Sequence, residues 1–214
     1  MTRPLVKICG ATTSADVVAC AQAGVAWVGV NFHPPSPRFL TVDAARALVD
    51  RLPNALEAVG VFVDRPASEV ARTAERVGLR IVQLHGEETV ETVRDLSRSL
   101  RVVKAFRVVD SSSFQKAKIF LDDCAKIGAT LEAVLIDSPA PGSGTSIAPD
   151  LIADFVGLPR WILAGGLTPE NVAERVELFQ PWMVDVAGGV ESAPGRKDAA
   201  RIDAFVRAAR STSR

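Results

Sequence analysis

Three cysteines, two histidines and no surplus of either charge set the first limits on this 214-residue chain. Cys9, Cys20 and Cys124 are an odd number, lie far apart and lack Cys-x-x-Cys spacing. That argues against a disulfide framework and against a zinc site, and reduced thiols fit a cytoplasmic protein. The 25 basic residues are matched by 25 acidic ones spread along the chain, so the electrostatic footprint of a nucleic-acid or membrane-surface binder is missing. No apolar run approaches the roughly 20 residues of a membrane span, and Met-Thr-Arg-Pro leads straight into a strand without an apolar signal segment. These absences point to small-molecule work by a cytoplasmic monomer or homodimer; an apolar stretch such as Ile152-Phe155-Val156 serves equally as core or as interface.

What is present is a repeated pattern. At 48% hydrophobic and 23% charged residues the composition is that of a folded globular protein long enough to bury a sizeable core. A short β-branched run, a Gly- or Pro-containing turn and an Ala-rich amphipathic stretch recur, as a repeat of type and not of sequence. The runs predict strands over Leu5–Cys9, Trp27–Phe32, Ala58–Val63, Ile81–Leu84, Val102–Phe106, Ala133–Asp137, Trp161–Ala164 and Met183–Ala187. Apolar residues at helical spacing predict helices near Ser14–Ala23, Val42–Arg51, Ala67–Val77, Thr89–Ser97, Ser112–Ile127, Pro149–Phe155, Pro169–Leu178 and Lys197–Ala209. Eight strand–helix units imply a parallel sheet. It could be doubly wound, but a (β/α)8 TIM barrel is the commoner closure, here compact against the usual ~250 residues. No linker divides the chain, so residues 1–214 are expected to form a single domain.

In such a barrel the residues after each strand gather at one rim, where enzymes of this fold keep their chemistry. Lys7-Ile8-Cys9-Gly10 ends the first run there, with Leu5, Lys7 and Cys9 on one face. The same rim collects Arg38 in the loop His33-Pro34-Pro35-Ser36-Pro37-Arg38, His85-Gly86, Arg107, Asp137 with Pro141-Gly142-Ser143-Gly144-Thr145, Gly165-Gly166 and Gly188-Gly189. A free cysteine is most often a small buried hydrophobe, and a carboxylate before Ser138-Pro139 is most often a turn cap. Position at strand ends is what singles out Cys9 and Asp137. Paired glycines let backbone N–H groups approach an anion, and the loops after strands seven and eight are this fold's recurrent phosphate cradle. Gly165, Gly166, Gly188 and Gly189 therefore point to a phosphate group. An inward Lys7 must be paired; Asp185, on the strand that closes against the first, is the expected partner, and this pairing is favoured over direct activation of the thiol. Cys20 and Cys124 fall in helical patterns away from the rim.

Taken together, Lys-Ile-Cys-Gly at 7–10, Ser-Pro-Arg at 36–38, Val-Gly-Val-Phe-Val at 59–63, Gln-Leu-His-Gly at 83–86, Lys-Ala-Phe at 104–106, Leu-Ala-Gly-Gly-Leu-Thr-Pro-Glu-Asn-Val at 163–172 and Gly-Val-Glu-Ser-Ala-Pro-Gly at 189–195 resemble the phosphoribosylanthranilate isomerases. The resemblance covers nearly the whole chain. It implies an enzyme of tryptophan biosynthesis that converts N-(5-phospho-β-D-ribosyl)anthranilate to 1-(2-carboxyphenylamino)-1-deoxy-D-ribulose 5-phosphate by an Amadori rearrangement, without metal or cofactor. By the same resemblance Cys9 matches the general base, Asp137 the general acid and Arg38 the residue that binds the substrate carboxylate, with Lys7, His85 and Asp185 in the substrate pocket. No acid or base role goes to His85; positioning of substrate or a hydrogen-bonded wall is expected. Neither catalytic role fits an ordinary pKa, so the site is expected to lower the thiol, or let it take its proton late, and to raise the carboxyl.

The chain departs from the family's pattern at Gly29-Val30-Asn31-Phe32, at Ile147-Ala148-Pro149 and at Ala187-Gly188, where the family commonly carries serines. Backbone N–H groups are left to hold a phosphate at 187–189. The alternatives are the aminoaldose isomerase of histidine biosynthesis, which keeps an aspartate in place of Cys9, or a bifunctional relative. A phosphate-sugar binding barrel without catalysis is a third.

Overall fold

Alternation along the first strand already separates two environments: Val6 and Ile8 are fully buried on one side, and Lys7 and Cys9 point to the other. The computed structural model describes residues 3–139 and 146–211. Its strands are β1 (Leu5–Cys9), β2 (Trp27–Asn31), β3 (Glu57–Phe62), β4 (Ile81–Leu84), β5 (Arg101–Arg107), β6 (Ala133–Asp137), β7 (Trp161–Leu163) and β8 (Met183–Val186). They pair in chain order, all parallel, and β8 closes against β1 to complete a barrel. The helices α1 (Ser14–Gln22), α2 (Val42–Val49), α3 (Ala67–Val77), α4 (Val90–Ser97), α5 (Ser113–Lys126), α6 (Pro149–Ala153), α7 (Val172–Phe179) and α8 (Ala199–Arg210) alternate with them. This is the expected (β/α)8 TIM barrel.

Two apolar clusters follow from the alternation. The larger lies between sheet and helices and includes Val6, Ile8, Val28, Val30, Leu84, Ile136, Val184 and Phe205. The smaller fills the barrel interior with Trp27, Val59, Ile81, Val103, Leu135, Ile162 and Met183, so the barrel is a packed core and not a pore. Ile152 and Phe155 join the core, whereas Val156 is exposed. At the mouth formed by the strands' N-terminal ends, Trp27 meets Trp182 edge to face at 5.5 Å. Arg101 lies over Trp27 and Arg160 over Trp182; Arg101 pairs with Glu57 at 2.7 Å and Arg160 with Glu132 at 2.6 Å. Glu57 also accepts from the Trp27 indole at 3.2 Å, so aromatic area and charge together plug this end.

Helix starts follow side-chain caps: Thr13 and Asp16 form a capping box on α1, and Thr41, Thr89 and Asp198 cap α2, α4 and α8. Two starts differ from expectation by more than one residue. α7 begins at Val172 and not Pro169, because the Asn171 carboxamide is spent on the preceding turn, accepting from Thr168 N at 2.9 Å and donating to Gly166 O at 2.9 Å. α8 begins at Ala199 and not Lys197, because Lys197 belongs to a hairpin that the sequence pattern did not reveal. A 3-10 turn over Gly188–Val190 leads into β9 (Glu191–Ala193), which pairs antiparallel with β10 (Arg196–Lys197). Strands of three and two residues, mostly polar, leave no period-two signal to read.

Candidate active site

The opposite mouth opens into a cavity of about 720 Å³ whose walls include Cys9, Arg38, His85, Arg107, Asp137, Asp185 and both glycine pairs. The expected rim residues are thus brought together from the ends of β1, β2, β4, β5, β6, β7 and β8. The segment Pro141-Gly142-Ser143-Gly144-Thr145 lies outside the described residues.

On one side of the cavity, Cys9 stands above a buried pair. Lys7 and Asp185 are register partners across the β1–β8 closure, and Lys7 Nζ lies 2.8 Å from Asp185 Oδ2. Asp185 Oδ1 is buried and accepts no hydrogen bond from the described residues. Burial pushes the Cys9 thiol up, and the charges of Lys7 and Lys197 oppose that without reversing it. The expected lowering of the thiol is therefore corrected: desolvation outweighs two nearby cations, and at neutral pH the resting thiol keeps its proton. Gly29 on β2 leaves room for the sulfur, since a Cβ there would lie 2.9 Å from Sγ.

Arg38 reaches this group from the loop after β2. Its stem crosses directly over Gly10, whose φ of +78° and missing side chain are both needed, because a Cβ at that position would collide with the Arg38 chain. The guanidinium is fixed by Glu191 through two parallel bonds, Nε to Oε1 at 2.7 Å and Nη2 to Oε2 at 2.8 Å. Glu191 Oε1 also accepts from Lys197 Nζ at 2.8 Å, and Lys197 donates to Ala187 O at 3.0 Å. Burial pushes the Glu191 carboxyl up, but the bonds and charges of Arg38 and Lys197 overcome it and hold the carboxyl below the usual range. Glu191 and Lys197 were not singled out from the sequence. Glu191 lay inside a recognisable motif, yet its partner Arg38 is 153 residues away.

Across the cavity, Asp137 ends β6. It is buried, its Oδ1 accepts from Ser138 N at 2.7 Å, and His85 Nε2 lies 3.2 Å from its Oδ2, close but not aligned as a hydrogen bond. Gln83 Nε2 lies 2.8 Å from His85 Nδ1, on the same face of β4 and one pleat below. His85 therefore stands as a wall beside Asp137. A further buried pair, Lys104–Glu88 at 2.9 Å, holds that loop from behind through Lys104 Nζ on Gly86 O at 2.7 Å.

The glycine pairs line the remaining side. Gly165 has φ +83°, and a Cβ on it would come within 2.6 Å of Ser138 N. That glycine lets the β7 loop press against the end of β6, beside Asp137. Gly188 faces Arg38, with Nη2 3.6 Å from where a Cβ would stand. The mouth therefore has glycine loops at one end and fixed side-chain charge at the other, and the two meet where Gly188 faces Arg38.

Comparison with known proteins agrees with this fold. Residues 6–208 match the family model described as N-(5'phosphoribosyl)anthranilate (PRA) isomerase. A curated N-(5'-phosphoribosyl)anthranilate isomerase of Geobacter sulfurreducens is 43% identical over 209 residues, 96% of this chain and 98% of the relative. The crystal structure of the phosphoribosyl anthranilate isomerase from Thermotoga maritima superposes with a TM-score of 0.89 at 32% identity, covering 97% of this chain and 99% of that one. A phosphoribosyl anthranilate isomerase in complex with reduced 1-(o-carboxyphenylamino)-1-deoxyribulose 5-phosphate superposes with a TM-score of 0.86 at 32% identity over the same shares. A closed barrel, a thiol and a carboxylate on the wall of one cavity at its mouth, and matches along nearly the full length all lead to one assignment: the chain belongs to the N-(5'-phosphoribosyl)anthranilate isomerase family, enzymes of tryptophan biosynthesis.

Proposed function

We propose that this cavity rearranges N-(5-phospho-β-D-ribosyl)anthranilate to 1-(2-carboxyphenylamino)-1-deoxy-D-ribulose 5-phosphate, with Asp137 as general acid and Cys9 as general base. The observation that carries the reading is their placement at the ends of β6 and β1, on the wall of a single cavity. Protonation of the ribose ring oxygen by Asp137 breaks its bond to C1′ and leaves a protonated Schiff base. Cys9, as thiolate, then takes the proton from C2′ to give a neutral enolamine. C1′ gains a proton as O2′ loses one, and the ketone forms with no net change of atoms. A thiol held up by burial is a strong base once it is deprotonated, which suits removal of a carbon-bound proton.

Binding follows the two ends of the mouth. Glu191 occupies the Nε–Nη2 edge of Arg38, which leaves the other edge of the guanidinium to take the anthranilate carboxylate in parallel bonds. The phosphate goes to the loops of Gly165-Gly166 and Gly188-Gly189, where backbone donors replace missing serine hydroxyls. His85, 3.2 Å from Asp137 Oδ2, keeps the Asp137 carboxyl facing the substrate. The test is fluorescence decay of the substrate, formed in situ from anthranilate and phosphoribosyl pyrophosphate by a phosphoribosyltransferase that releases pyrophosphate. Decay above spontaneous hydrolysis, with the carboxyphenylamino ketone as product, supports the reading; a folded protein that leaves the signal at the hydrolysis rate removes it.

A further inference from the structure

Five charged side chains meet around Cys9 and come from five different elements: Lys7 from β1, Asp185 from β8, Arg38 from the loop after β2, Glu191 from β9 and Lys197 from β10. Gly29 of β2, beside the sulfur, brings no charge. Three cations thus stand against two carboxylates, and all are largely shielded from water. With Lys197 protonated the cluster lacks one negative charge, while burial pulls the Lys197 ammonium below its ordinary range. A surplus of positive charge in a poorly solvated site favours an anion there, and the thiolate of Cys9 and the substrate carboxylate are the two candidates to supply it.

Glu191 sets the size of that surplus. Its two oxygens span Arg38 in parallel, and one of them is shared with Lys197. Lys197 is anchored a second time on Ala187 O, the residue that opens the β8 glycine loop. Gly195, at the hairpin turn with φ +78°, presses on the loop that carries Arg38: a Cβ there would lie 2.5 Å from Pro37 O. Thr12 Oγ1 in turn reaches Gly195 O at 3.2 Å, tying the hairpin to the segment just after Cys9.

We propose that the β9–β10 hairpin is the positioning element of this site, in which Glu191 orients Arg38 for the substrate carboxylate and Glu191 and Lys197 together set the charge around Cys9. The proposal rests on the roles given above to Cys9 and Arg38. Neither hairpin residue needs to touch the reacting atoms; both act through the side chains they hold.

Removing the anion and removing the cation should move Cys9 in opposite directions, which a merely structural contribution would not do. The measurement is the pH dependence of Cys9 alkylation by iodoacetamide, located by peptide mass spectrometry, in wild type, Glu191→Gln and Lys197→Met. Glu191→Gln should shift the thiol profile to lower pH and Lys197→Met to higher pH, each by on the order of one unit. Glu191→Asp keeps the charge but shortens the arm, so it should leave the profile in place and raise KM at least about tenfold, the loss of a well-aligned charge-assisted contact. With Arg38→Ala already present, Glu191→Asp should add nothing to KM. Shifts in one direction for both neutral variants, no shift in either, or an equal KM penalty with and without Arg38 would overturn the proposal. The aspartate variant and Lys197→Met keep the test decisive if Glu191→Gln fails to fold. Alkylation needs no turnover. Opposite shifts in a protein without isomerase activity would therefore remove the proposed function and keep the charge-setting role, and unshifted thiols in an active isomerase would do the reverse.

Discussion

The two mouths of this barrel both carry paired charges and do opposite things with them. At the N-terminal mouth, two tryptophans stack edge to face, each arginine that covers them is neutralised by a glutamate, and the same glutamate satisfies the one indole that carries its own hydrogen bond. Both arginines over the tryptophans have a carboxylate partner. At the C-terminal mouth aromatics are replaced by glycine loops and a cavity, three basic side chains stand against two acidic ones around Cys9, and Asp185 keeps an oxygen without a donor among the described residues. A closed end stabilises; an end left incomplete binds and reacts. The difference lies in what is left unpaired, more than in how much charge is present.

The contrast can be broken first at its reactive end. Cys9→Ala and Asp137→Ala should each lower kcat by about 10²–10⁴, the range for a lost general acid or base, and leave the thermal midpoint close to that of wild type. Full turnover in either variant would remove that residue from the chemistry. At the closed end the effect should be on stability alone. Trp27→Ala should cost about 3–5 kcal/mol in denaturant unfolding, with kcat unchanged wherever the variant is folded; a large loss of kcat would show that the plug is not separate from the site.

Smaller effects sharpen the comparison. Arg38→Ala should raise KM by the equivalent of about 1–3 kcal/mol, the range for a bond to a charged group, with a modest change in kcat; an unchanged KM would take the guanidinium away from the substrate. Because burial holds the Cys9 thiol up and only its deprotonated form can act as base, kcat/KM should climb with pH and keep rising past the ordinary thiol value of about 8.5. A plateau reached near neutrality would mean the cations win. The smallest change is expected from Glu57→Gln, whose pair with Arg101 is half exposed, and which should cost under about 1 kcal/mol.

Much of this was legible in the sequence, and the parts that were not share a cause. Strands such as Leu5–Cys9 and Ala133–Asp137 were readable to the residue because a buried parallel strand is a continuous apolar run between turns. That run also located Cys9 and Asp137, since both stand at its end, and period-two alternation pointed Lys7 at Asp185. Arg38 and the glycines could be placed on the rim from their loops, but the partner that fixes Arg38 could not. Glu191 sits in a hairpin too short to carry a period, and its meeting with Arg38 depends on closure of the whole barrel. The raised thiol was hidden for a similar reason. A sequence shows that lysines lie nearby, but the balance of their charge against desolvation appears only once burial is known. The starts of α7 and α8 were misplaced by local competition, with Asn171 and Lys197 spent on a turn and a hairpin before the helix begins.

The most direct measurement is a crystal structure of this protein with reduced 1-(o-carboxyphenylamino)-1-deoxyribulose 5-phosphate bound. The aromatic carboxylate should lie on the free edge of Arg38, with Glu191 still holding the opposite edge, and the phosphate should rest on the backbone of Gly165-Gly166 and Gly188-Gly189, the sugar carbons passing between Cys9 and Asp137. A phosphate seated on Arg38, or a ligand whose sugar carbons lie away from Cys9, would contradict the division of the mouth into two ends and the roles that depend on it.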